Sequence, residues 1–188
     1  MAEVAFRRGT FVDDERTSGH IALLADFLTS DTSRFGVMLC GSYGNGKTTL
    51  MHALRTATNA LDQSGEFGKP TGLRMEDARE IARLYTARDP QGYLSLKQHE
   101  RIIIEDMGKE PVEQKNFGTV ISPIVELLEY RYNEQLFTAI TTNLTPKEIR
   151  TKYGNRIADR FNEMMLVITY EDGSYRTAPQ TTRHNNTI

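Results

Sequence analysis

Residues Val37–Leu50 read VMLCGSYGNGKTTL, and their reading decides the fold. Phe35–Cys40 is a short apolar run with the length of a buried parallel strand. Gly41, Gly44 and Gly46 follow, then Lys47, Thr48 and a helical pattern. The spacing is G-x-x-x-x-G-K-[ST], the P-loop, with the strand before it and the helix after it that the motif requires. Glycines let the backbone N–H groups of Gly41, Ser42, Tyr43, Gly44, Asn45 and Gly46 turn inward around an anion. The helix that starts near Gly46 adds its dipole and its unbonded amides, those of Lys47, Thr48 and Thr49. Lys47 is placed to reach β- and γ-phosphates, and the Thr48 hydroxyl to ligate Mg²⁺. The expected ligands are therefore ATP and Mg²⁺.

Working outward, residues 17–29 carry Ile21, Leu24, Ala25 and Leu28 at helical spacing, with Thr17 or Ser18 as cap. Residues 1–16 read as an irregular lead-in, with Phe6, Phe11 and Val12 available for packing. After the P-loop, Lys47–Leu61 continues as a helix with Leu50, Leu54, Ala57 and Leu61 on one stripe. Thr71–Met75 is a short strand and Glu76–Ala87 a helix. Arg74, Arg79 and Arg83 line the outside of this segment. They have two readings, a local DNA-contacting patch or a solvated face neutralised by Glu76, Asp77 and Glu80.

Arg101–Met107, RIIIEDM, has three isoleucines followed by two carboxylates. The apolar run buries a strand, and Glu105 and Asp106 emerge at its carboxyl end, where open α/β sheets bind ligands. This is a Walker B pattern: one acid, Glu105, serves the Mg²⁺ shell beside Thr48, and the next polarises the attacking water. Alone, a strand ending in surface charge is the simpler reading; downstream of a P-loop the functional one is favoured. Lys109–Gly118 reads as a polar loop, and Ser122–Pro123 opens a helix. Leu136–Thr142 is the next strand, with Asn143 at its end, either facing a γ-phosphate or terminating the strand as a turn residue. Thr145-Pro146-Lys147-Glu148 is a capping box. A second short helix, capped by Asn155, holds Arg156, Asp159 and Arg160. Leu166–Tyr170 is the last strand, followed by Arg176 and a loose tail, 177–188.

The five strands alternate with helices, so the expected fold is α/β, three-layered, with a five-stranded parallel sheet in a single domain spanning 1–176. The net charge of −2 excludes a global basic field, so nucleic acid has to be met through a local patch. One cysteine, Cys40, and four histidines exclude a disulfide framework and a Cys/His metal site. With no signal core and no run of membrane-span length, the expectation is a cytoplasmic protein with no membrane partner.

Taken in order, Gly41–Thr48, Ile102–Asp106, Thr141–Asn143, Asn155–Phe161 and Ser174–Arg176 resemble the AAA+ ATPases of the DnaC/IstB type, which load bacterial replicative helicases or assist transposases. The resemblance runs from about Phe11 to Arg176. ITTNLTPKEI followed by YGNRIADRF is its most specific part. It implies that Glu105 and Asp106 are the Walker B pair and Asn143 is sensor 1. Arg160 would be the arginine finger that reaches a neighbouring subunit's ATP, and Arg176 sensor 2. Arg156 would support or replace Arg160; the alternative for both is a solvated cluster with Asp159. It also implies a homo-oligomer, ring or spiral, with DNA and a helicase or a transposase as partners. Two departures accompany it. The family usually has Asp-Asp or Asp-Glu where this chain has Glu105-Asp106, a swap expected to slow hydrolysis more than binding. Further, the chain leaves no room for an N-terminal helicase-binding region and, with 18 residues after the last strand, little or none for a helical lid. The transposase-helper reading and a nucleotide-gated assembly module with little turnover are the alternatives; a small-molecule kinase is disfavoured, for no arginine-rich lid is present.

Overall fold

The computed structural model describes residues 1–6, 14–63, 72–86, 89–111, 114–116 and 119–170. Five strands, β1 (Gly36–Gly41), β2 (Arg74–Asp77), β3 (Arg101–Met107), β6 (Phe137–Thr142) and β7 (Met165–Tyr170), form one sheet in the order β2-β3-β6-β1-β7. Every neighbouring pair in it is parallel. The central strands are apolar on both faces: Val37 to Cys40, Ile102 to Ile104 and Ala139 to Ile140 are all buried, as a sheet covered on two sides demands.

The helices divide between those two sides. Leu24 of α2 (Glu15–Thr29) and Met51 and Leu54 of α3 (Lys47–Gln63) pack on Val37, Leu39, Ile103 and Ile168. The opposite face, with Met38, Ile102, Ile104 and Ile140, receives α4 (Ala78–Thr86), α5 (Pro90–Gln98) and α6 (Pro123–Asn133). It also receives α7 (Pro146–Tyr153) and α8 (Asn155–Met164). The result is the expected three-layer α/β fold.

Several local expectations shift. The lead-in is not wholly irregular, because Ala2–Phe6 forms α1. Helix α2 is capped by Asp14, which accepts from the Thr17 amide at 2.7 Å, rather than by Thr17 or Ser18. Only Leu24 of its apolar stripe is buried; Ile21, Leu23 and Leu28 are exposed. On α3 the buried apolar positions are Met51 and Leu54, and Leu61 lies outside. β2 runs on through Glu76 and Asp77, because pairing with Ile104 and Glu105 outweighs an early helix start. A short hairpin, β4 (Gln114–Asn116) with β5 (Thr119–Ile121), occupies part of the expected loop. The capping box holds: Thr145 Oγ1 accepts from the Glu148 amide, and Glu148 accepts in return from the Thr145 amide at 2.7 Å. Helix α8 is capped at Gly154 (φ +86°) rather than at Asn155, whose side chain instead accepts from Arg150 at 3.0 Å. Phe11, Val12, Arg176 and the tail 177–188 lie outside the described residues, and so does any lid.

No described helix is long and apolar enough to cross a membrane.

Candidate nucleotide site

Strand order brings the motifs together. β6 lies between β3 and β1, so Asn143, one residue beyond β6, sits between the P-loop that leaves β1 and the acids that end β3. All three features are at the carboxyl edge of the sheet, where a doubly wound fold opens its crevice.

The P-loop is a tight turn with positive φ at Gly41 (+122°), Gly44 (+79°) and Gly46 (+90°). A Cβ on Gly41 would fall 2.1 Å from the Tyr170 carbonyl oxygen, so the β1–β7 ladder itself requires glycine there. The first intrahelical bond of α3 runs from the Leu50 amide to the Gly46 carbonyl at 2.9 Å, which leaves the amides of the first helical turn directed at the loop. Lys47 is buried, and its Nζ donates to the carbonyls of Gly41 (2.8 Å) and Ser42 (2.5 Å) and to Asn45 Oδ1 (3.0 Å). Buried Asn45 also donates to Ser42 Oγ at 3.4 Å. A cation is thus drawn into the centre of a glycine turn, and Thr48 follows it in the first turn of α3. These residues fit a phosphate chain with its Mg²⁺. Mg²⁺ at such sites takes few protein ligands and keeps water and phosphate for the rest, so the lack of a three-ligand cluster among the described residues is consistent with it.

The two acids have different surroundings. Glu105 pairs in register with Asp77 of β2 and faces His52 of α3, Oε1 to Nε2 3.4 Å; His52 Nδ1 is in turn 3.8 Å from Glu3 of α1. Asp106 breaks the β3–β6 ladder: it has φ +53°, and pairing resumes only at Met107 opposite Thr142. Its amide is held by Thr141 Oγ1 at 3.0 Å. Its carboxylate meets Lys109 Nζ at 2.6 Å.

The loop beyond is pinned to α7. Glu110 is buried; its carboxylate accepts from the Gly108 amide at 2.8 Å and from the Tyr153 hydroxyl. Lys152 donates to the carbonyls of Gly108 and Glu110. Burial, and next the Glu110 charge, push the Tyr153 phenol well above its usual range, so it stays a hydrogen donor.

On the far side of the P-loop, His20 of α2 stacks on Tyr170, centroids 4.0 Å apart, and Lys47 Nζ lies 5.8 Å from the Tyr170 ring. Burial, then Arg16, lowers the His20 pKa and favours the neutral ring.

Arg156 and Arg160 are in the layer opposite the P-loop helix. They do not cluster with Asp159, which pairs with Arg150 at 2.9 Å. Both approach Glu129 of α6 instead, Arg156 Nε at 3.1 Å and Arg160 Nη1 at 3.3 Å. Arg160 is also stacked over Tyr132, 4.6 Å from ring centroid, and its side chain is 13% exposed against 71% for Arg156.

The arginine strip is neutral. Arg74 pairs with Glu76 (3.0 Å), Arg79 with Asp77 (3.0 Å) and Arg83 with Glu80 (3.1 Å). Arg79 holds the Asp77 carboxyl below its usual range. The geometry carries the solvated, self-paired reading of these residues, because each cation has an acid of its own segment within reach.

Sequence reasoning did not single out His52, Lys109 or Glu110 for the site, and named Thr141 and Tyr153 only as members of the Thr141–Asn143 and YGNRIADRF stretches, without a role. Two of them had a local signal: His52 is one turn beyond Thr48 on the P-loop helix, and Lys109 is three residues beyond Asp106 across a glycine. The others depend on pairing between distant segments.

No known family profile matches the sequence. None of the curated proteins matches it either. Solved structures do. The DnaC helicase loader superposes with a TM-score of 0.65 at 18% identity, covering 86% of this chain and 94% of that one. A putative primosome component from Streptococcus pyogenes serotype M3 gives 0.63 at 19%, covering 87% and 84%. AMPPCP-bound DnaA from Aquifex aeolicus gives 0.60 at 15%, covering 89% of this chain and 50% of that one. At such identities the likeness concerns the fold alone: this chain shares the three-layer α/β P-loop fold of these structures.

Proposed function

We propose that the chain is a Mg²⁺-dependent AAA+ ATPase that works as a homo-oligomeric switch in DNA replication or mobile-element DNA transactions. The observation that carries this reading is the convergence of the P-loop, Glu105–Asp106 and Asn143 on one sheet edge, with Lys47 drawn into the glycine turn. Likeness in fold to a helicase loader and to a nucleotide-bound replication protein supports the biological setting.

In this reading the amides of Gly44–Thr49 and Lys47 bind and orient the phosphates. Bound Mg²⁺, held by Thr48 and Glu105, supplies charge neutralisation along the phosphate chain. Asp106 accepts the proton of the attacking water, and Asn143 holds that water in line. Arg160 acts on the ATP of a neighbouring subunit, for which its place in the layer away from its own P-loop helix is the support; leaving Glu129 and Tyr132 is the cost of that movement. Arg156, already exposed, serves as its partner or substitute. Arg176 is assigned to sensor 2 by resemblance. Location in the cytoplasm, a DNA ligand and a helicase partner belong to the same proposal. A DNA contact at Arg74, Arg79 and Arg83 requires their acids to be displaced first.

A second reading, a nucleotide-gated assembly module with little turnover, is favoured by the Glu105-Asp106 order and by the Lys109 contact on Asp106.

ATP hydrolysis against protein concentration, with and without single-stranded DNA, tests the proposal. The expected result is a rate per subunit that rises with concentration and is lost in Lys47→Ala. Arg160→Ala should bind ATP normally and hydrolyse it about a thousandfold more slowly. ATP binding without phosphate release at any concentration selects the assembly module. No ATP binding refutes both. An Arg160→Ala rate equal to wild type refutes the shared site.

A further inference from the structure

The Asp106–Gly108 turn ends in a cation that the motifs do not account for. The Lys109 amide closes the turn on the Asp106 carbonyl at 3.1 Å, and its Nζ returns to Asp106 Oδ2 at 2.6 Å. The same Nζ is 6.0 Å from the ring centroid of Tyr43, the third residue of the P-loop. The ammonium therefore lies in the gap between the P-loop and the acidic edge of β3.

The backbone beneath it is fixed. Gly108 has φ +110°, and a Cβ there would fall 2.7 Å from Leu144 Cδ1. Its amide is held by Glu110, and its carbonyl and that of Glu110 by Lys152. On this held backbone the Lys109 side chain has a flexible four-carbon stem that lets its ammonium swing. Its present pair is easily opened, since Lys109 is 38% and Asp106 30% exposed and such pairs are weakly held. A terminal phosphate carries more charge than a carboxylate and presents several acceptor oxygens, so it is the better anion for this ammonium.

We propose that Lys109 is a γ-phosphate-contacting residue that rests on Asp106 until a nucleoside triphosphate binds. It then moves from the carboxylate to the terminal phosphate and leaves Asp106 unpaired to receive a proton from water. The triphosphate itself thereby switches on the base, and a diphosphate does not. This rests on the ATP-binding reading above.

Calorimetric titration of the full chain with AMPPCP and with ADP, each with Mg²⁺, tests it in wild type, Lys109→Met and Lys109→Arg. The expected result is a loss of about tenfold in AMPPCP affinity for Lys109→Met. Its ADP affinity should stay within about twofold of wild type, and Lys109→Arg should retain most of the AMPPCP affinity. An unchanged AMPPCP affinity, an equal loss for both nucleotides, or an Arg variant as weak as the Met variant overturns the lysine's role while leaving ATP binding intact. Wild type that binds neither nucleotide overturns the ATP-binding reading and this inference with it.

Discussion

Arg131 offers a quantitative test of what holds the sheet in register, separable from the nucleotide chemistry. It sits on α6 with no exposed surface. Its Nε donates to Thr138 Oγ1 at 2.8 Å. Nη1 donates to the His99 carbonyl at 2.6 Å and that of Lys97 at 3.2 Å, and Nη2 to the Phe137 carbonyl at 2.6 Å and that of Glu100 at 3.4 Å. These acceptors belong to the segments that enter β3 and β6, so one side chain fastens the amino ends of two adjacent strands. Burial lowers its pKa from 12.5 to about 10. That fall corresponds to about 3 kcal/mol of lost solvation. The three shortest bonds, charge-assisted, return about 1.5–3 kcal/mol each and outweigh it. Arg131→Met removes both terms and strands buried carbonyls, so the expected net loss is about 3–5 kcal/mol. Arg131→Lys keeps the charge without the planar fork and should fall between. Urea unfolding followed by circular dichroism measures the loss. AMPPCP affinity at low temperature, where the variant is folded, should stay within about twofold of wild type, because the clamp is at the sheet edge opposite the P-loop. A loss below about 1 kcal/mol refutes the balance of terms.

Three further outcomes follow from the geometry. Gly41→Ala places a Cβ against the Tyr170 carbonyl at positive φ and should cost about 2 kcal/mol or more together with nucleotide binding, read by thermal melting and calorimetry; normal binding would contradict the strained turn. Thr145→Ala removes the capping box of α7 and should lower the melting temperature by about 2–4 °C. The Thr145 amide, then its hydroxyl, lowers the Glu148 pKa, so this stabilisation is present above the ordinary carboxylate range and is lost as pH falls through the lowered value; the amide remains in the variant, so the gap to wild type should narrow in acid by the hydroxyl's share and keep the part due to the Glu148 amide on Thr145 Oγ1, which does not titrate. The double change Glu105→Asp with Asp106→Glu restores the usual acid order and should raise ATP turnover by at least about tenfold in a phosphate-release assay, with no rise if the order is immaterial.

The sequence by itself determined the parts whose signal is local. The P-loop, the RIIIEDM strand, the capping box and the alternation of strands with helices are encoded in spacings of a few residues, and these fix the α/β class and the glycine turn. Helix caps were less legible at Asp14 and Gly154, where several neighbouring residues were chemically able to serve. What only the tertiary structure decided depends on pairs far apart in the chain. Strand order put Asn143 between the P-loop and the acids. Thr141, across the β3–β6 ladder, fixed the Asp106 amide, and Tyr153 closed on Glu110. Arg131 on α6 became the buried clamp of two strands. Glu129 and Tyr132 took Arg156 and Arg160 from Asp159. Charge in a sequence shows no distance, and it was distance that neutralised Arg74, Arg79 and Arg83 and that laid Lys109 on Asp106.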